Sequence, residues 1–142
     1  MLESGSYDEA IAIFTELEDY RDSADRVKEV KYSKGLALLE SGGYDEAIAI
    51  FRKLKGYKDS ADRLKEVKYS KASALSEKRD YDEAIGIFET LRDYKDSRDR
   101  VKEVKYSKAR ALSEKKIMLR RRTSIKTLVS IRIVHFFIPM RF

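Results

Sequence analysis

Apolar residues along this chain recur at two alternating helical patterns. From Tyr44 to Lys55, Ala47, Ile48, Phe51 and Leu54 fall at i, i+1, i+4 and i+7, the single stripe of a short amphipathic helix. After a break at Gly56, Tyr57 and Lys58, a longer helical pattern runs from about Ser60 to Lys78. In the preceding copy of that longer pattern, a wheel at about 100° per residue puts Tyr32, Gly35, Leu36 and Leu39 on one face. Val27, Val30, Ala37 and Leu38 form another. A helix that is apolar on two sides lies between neighbours, which predicts stacked layers rather than a closed bundle. Ser6-x-x-Glu9 and Asp80-x-x-Glu83 read as capping boxes at the starts of short helices, and Asp59 reads as the N-cap of a long one.

The alternation is a true repeat. Tyr-Asp-Glu-Ala recurs at Tyr7, Tyr44 and Tyr81, a period of 37, which divides the chain into repeats 7–43, 44–80 and 81–117. The first two agree at 25 of 37 positions and the last two at 27, so the same two-helix unit is expected three times. Gly35, Ala72 and Ala109 share one repeat position, where a small side chain lets the adjacent helix approach.

The run of a small residue at Gly35, then Leu38, Gly42, Tyr44, Ala47, Phe51 and Leu54, resembles a tetratricopeptide repeat over residues 2–116. The period is longer than that family's, and Tyr57-Lys58-Asp59-Ser60 stands where its closing proline would be. The unit is similar to divergent bacterial repeats of this type. The resemblance implies an all-α, right-handed α-solenoid of stacked antiparallel helix pairs, acting as a protein-protein interaction scaffold or spacer. It places twelve residues in a concave groove: Glu29, Tyr32, Leu36 and Leu39 from the first repeat, Glu66, Tyr69, Ser73 and Ser76 from the second, and Glu103, Tyr106, Arg110 and Ser113 from the third. Leu36, Ser73 and Arg110 share one position, so the groove grades from apolar to basic and suits a peptide or protein segment that is apolar at one end and acidic at the other.

Composition narrows the chemistry further. The chain contains no Cys, and its only His is His135, so thiolate metal sites, cysteine nucleophiles and histidine acid-base catalysis have nothing to work with. Neither an enzyme nor a cofactor or metal site is expected. Asp45 and Glu46 diverge by about 100° on a helix, and their first-turn position is explained by the helix dipole. Three tyrosines per repeat (Tyr7, Tyr20, Tyr32 and their copies) read as packing in preference to a base-stacking platform. Lys28, Lys31 and Lys34, with Glu29 among them, read as a solvated face.

The net charge of +6 belongs to the C-terminal tail: residues 1–116 hold 25 basic and 25 acidic side chains, and residues 117–142 hold six basic ones and no acid. The alternative function is therefore nucleic-acid or anionic-membrane binding through that tail, although no specific nucleic acid is implied. The apolar run there is too short to span a membrane and is broken by Arg132. Nothing signal-like follows Met1, and a cytoplasmic location is expected. Read with each codon shifted by one base, synonymous choices permit Tyr at 118, Glu at 120, Ala at 121 and Tyr-Lys-Asp-Ser at 131–134. All of these fall in register with the repeat, while 119, 122 and 123 do not fit. The tail thus reads as a frameshifted fourth repeat with no stable domain of its own. Residues 1–6 read as the remnant of a truncated long helix, since Leu2 to Gly5 match Leu39 to Gly42, and such truncated ends allow edge-to-edge self-association.

Overall fold

The computed structural model describes residues 4–136, and these form α1 (Ser4–Glu16), α2 (Ser23–Ser41), α3 (Tyr44–Lys53), α4 (Ser60–Glu77), α5 (Tyr81–Leu91) and α6 (Ser97–Phe136), with no strand among them. Each helix packs chiefly against its neighbours in sequence, giving an all-α solenoid of helix pairs. Short and long helices alternate as the two apolar patterns require.

Two core clusters hold the stack, and α4 serves both. Its Val67 and Leu64 join Tyr32, Ala47, Phe51 and Leu54 in the first. Its Ala72, Tyr69 and Leu75 join Ala84, Phe88, Leu91 and Val104 in the second. This is the physical meaning of a long helix with two apolar faces. Where α2 meets α3 the approach is close: a Cβ added to Gly35 would lie 2.7 Å from the Phe51 ring.

The Tyr-Lys-Asp-Ser turn between short and long helices has a task for each residue. Ser60 and Ser97 are fully buried, and their hydroxyls donate to the carbonyls of Tyr57 and Tyr94 at 2.6 Å. Lys58 and Lys95 adopt left-handed φ values of 46° and 51°, which cost a non-glycine residue about 1 kcal/mol or more. That geometry carries the Lys58 ammonium to 5.0 Å from the Tyr32 ring and 5.3 Å from Tyr57, and Lys95 lies in the same way over Tyr69 and Tyr94.

The capping boxes are a correction. α1 begins at Ser4, so Ser6 lies inside the helix, and neither Asp80 nor Asp59 makes a side-chain cap bond although each stands at the N-cap position. The Asp59 carboxylate is engaged elsewhere, accepting from the Tyr32 hydroxyl and from Arg63. At the far end, α6 runs on through residues 117–136, and its side chains from Leu112 to Arg132 are exposed.

Candidate interaction site

In the second and third Tyr-Asp-Glu-Ala strings, the Asp and Glu reach lysines in opposite directions. Lys34 on α2 lies 2.9 Å from Asp8 on α1 and 2.6 Å from Glu46 on α3, with its side chain only 10 % exposed. Lys71 on α4 is held by Asp45 at 2.8 Å and Glu83 at 3.0 Å. Lys108 on α6 bonds Asp82. Lys34 titrates above the usual lysine range because Glu46 and Asp8 hold its ammonium, which outweighs burial. Lys71 is raised likewise by Asp45 and Glu83. The expectation that Lys34 belongs to a solvated face is therefore corrected: it is a buried cation clamped by carboxylates from two helices.

The twelve groove positions have unequal surroundings. Tyr32 is buried, its ring edge-on to Phe51 at 5.8 Å, and Tyr69 is half-buried and edge-on to Phe88 at 5.4 Å. Their hydroxyls donate to Asp59 and Asp96, which holds both carboxyls below the ordinary range. Tyr106 is exposed. Glu29, Glu66 and Glu103 are tied to Arg26, Arg63 and Arg100 at 2.9, 2.7 and 2.7 Å. Leu36 and Leu39 are half-buried against the first cluster, Ser73 and Ser76 are half-buried, and Arg110 and Ser113 are exposed. Arg110 lies 3.3 Å from Glu114 on its own helix.

A cleft of about 740 Å³ lies elsewhere, between α3 and α5 over the first half of α4. Its apolar part is Phe51, Leu64, Leu91 and Tyr94. Arg52, Lys55, Lys65, Lys68 and Arg92 surround that part, and its one acid, Asp93, is paired with Arg98 at 2.6 Å. Sequence reasoning missed this site. Its signal was the i, i+3 spacing of Lys65 with Lys68, which sets that pair on one face of α4, beside Arg52 at the end of α3 and Lys55 in the turn after it.

The stacked pairs, the small residue facing Phe51 and the two-faced long helices are accompanied by a family match: residues 2–62 match the tetratricopeptide repeat model. Over these residues the chain is tetratricopeptide-like. No curated protein and no solved structure matches it. Tetratricopeptide repeats generally mediate protein interactions and are typically non-catalytic, and this tetratricopeptide-like chain is a protein-protein interaction scaffold in that general sense. Among its described residues, no helix is long and apolar enough to cross a membrane.

Proposed function

We propose that this tetratricopeptide-like protein holds a partner protein through an acidic, partly apolar segment of that partner. The observation that carries the reading is the cleft over α4, where five cations ring an apolar floor of a size suited to a few side chains. Leucine or aromatic side chains of the segment fill the floor, and its carboxylates meet the Lys65, Lys68 and Arg92 side of the rim. A second reading rests on the row along the long helices, which passes from half-buried Leu36 and Leu39 to exposed Arg110. There the partner lies along α2, α4 and α6 with its acidic end at Arg110.

Selection of displayed acidic-apolar peptides, followed by fluorescence anisotropy on the winners, tests both readings. Loss of binding in the double variant Lys65→Glu, Lys68→Glu, with Arg110→Glu unaffected, supports the cleft. The reverse pattern moves the partner to the long-helix row. Binding that survives all three changes refutes both surfaces.

A further inference from the structure

The junction between helix pairs is built the same way each time it occurs inside the array. At the first, Tyr32 packs edge-on to Phe51 and Tyr57, its hydroxyl donates to Asp59, and Lys34 reaches Glu46. At the second, Tyr69, Phe88, Tyr94, Asp96, Lys71 and Glu83 repeat every one of these contacts. The same positions on α6 are Tyr106 and Lys108. Tyr106 is 68 % exposed where Tyr32 is 9 % exposed, and Lys108 meets only Asp82 among the described residues. One repeat further on, the positions that would supply carboxylates to them are Arg120 and Ile133. Half a junction is therefore open on α6.

The complementary half is open on α1. By repeat position Phe14, Tyr20 and Asp22 correspond to Phe51, Tyr57 and Asp59, and Glu9 corresponds to Glu46. Tyr20 is 57 % exposed, and Leu17 is 43 % exposed where its counterpart Leu54 is buried. Glu9 is exposed and makes no ion pair among the described residues, and Asp22 has Arg26 alone. Each side lacks what the other carries.

Charge agrees with shape. Beside α6 lies a second cleft of about 530 Å³, made by Phe88, Glu89, Arg92, Arg98, Val101 and Lys102, in which the one acid, Glu89, is paired with Lys105 at 3.0 Å. It is the cleft over α4 displaced by one repeat, without the wall that Leu91 to Tyr94 give the inner one. The corresponding stretch next to α1 is Leu17, Glu18, Asp19 and Tyr20, which would bring two carboxylates to Arg98 and Lys102.

We propose that the chain self-associates end to end, α1 of one copy docking antiparallel on the Ser97 to Lys116 part of α6 of the next. In the contact Tyr106 lies edge-on to Phe14 and Tyr20 of the second copy and donates to its Asp22, while Lys108 gains its Glu9. The patches differ, so the contact is heterologous and leaves a free end on each side; the product is an open, growing chain of copies and not a two-fold dimer. It does not depend on what the cleft over α4 binds.

Sedimentation velocity of the full chain across the micromolar to millimolar range tests this, with two variants at exposed groups that lack a partner within the copy. Tyr106→Glu blocks the α6 end, and Glu9→Lys blocks the α1 end. The wild type is expected to gain mass continuously with concentration, each variant alone to remain monomeric, and an equimolar mixture of the two to stop at twice the monomer mass. That last result follows only from two different, complementary ends. A wild type that stays monomeric overturns the proposal and leaves the α6 face to another protein. Self-association that persists in both variants but disappears with Leu128→Lys also overturns it, by assigning the contact to the exposed tail.

Discussion

The Tyr69 hydroxyl donates to the Asp96 carboxylate across 2.5 Å, tying the middle of α4 to the residue that precedes α6. The bond links one long helix to the entry of the next, and the short helix α5 is enclosed between them. Tyr69→Phe keeps the ring against Phe88 and removes the bond, so the midpoint of urea unfolding is expected to fall slightly. Phe88→Ala removes a fully buried ring and is expected to cost about 3–5 kcal/mol. Equal losses from the two changes would mean that the hydroxyl, and not the ring, holds this junction.

Stability is expected to fall at both ends of the pH scale, for different groups. Asp59 and Asp96 have folded values below the ordinary 3.8, so their contribution is complete above that value and is lost as pH falls through the lower folded one. Lys34 and Lys71 have folded values above the ordinary 10.5; their contribution is complete below it and is lost as pH rises through the higher folded value. Melting temperatures recorded from pH 2 to 12 check this. Lys71→Met is expected to reduce the alkaline limb to the share of Lys34 and to leave the acid limb in place.

Gly35→Val is expected to destabilise the chain by about 1–3 kcal/mol through overpacking, because any Cβ there meets the Phe51 ring. Gly35→Ala also places a Cβ against that ring but is expected to cost less than Val, since the ring needs to give way for one methyl only, as Phe88 does beside Ala72. Thermal unfolding of both variants distinguishes a steric limit from a requirement for glycine backbone freedom.

A chain ending at Lys116 carries no net charge, and it is expected to lose nearly all affinity for DNA, RNA or anionic vesicles. The full chain retains the exposed Arg120, Arg121, Arg122, Lys126 and Arg132 on α6, and any binding it shows is expected to weaken with salt. Tight, salt-sensitive binding by the shortened chain would place a nucleic-acid or membrane surface on the repeats themselves.

If the tail is a shifted reading of a fourth repeat, the gene carries codons that permit it. Restoring one base near codons 114–118 is expected to open a frame with Glu at 120 and Asp at 133, the two carboxylates that Lys108 and Tyr106 lack. A stop within a few codons, or codons that forbid Tyr-Lys-Asp-Ser at 131–134, removes the idea.

The fold was readable because stacking writes itself into hydropathy: Phe51 and Ala47 lie at core spacing, and α4 shows both of the faces it buries. The junction chemistry was not. Lys34 looks like any solvated lysine until its carboxylates arrive from helices 26 residues before and 12 residues after it. Asp59 looks like an N-cap because its partner, Tyr32, lies 27 residues away, beyond the range of local capping rules. The cleft was hidden for a related reason, since its cations lie on three different elements and converge only when the pairs stack.

The contacts joining one helix pair to the next span fixed intervals, 12 residues from Lys71 to Glu83 and 27 from Tyr69 to Asp96. Excise residues 44–80 as a block, and Lys34 meets Glu83 in place of Glu46 while Tyr32 meets Asp96 in place of Asp59. The shortened chain has the same junctions, only fewer of them. Unequal recombination between repeats can therefore lengthen or shorten such a gene in steps of 37 codons, and each product is as well joined as its parent. A deletion of any other length moves Lys34 and Tyr32 out of reach of their carboxylates together, so the junction itself filters which lengths can persist.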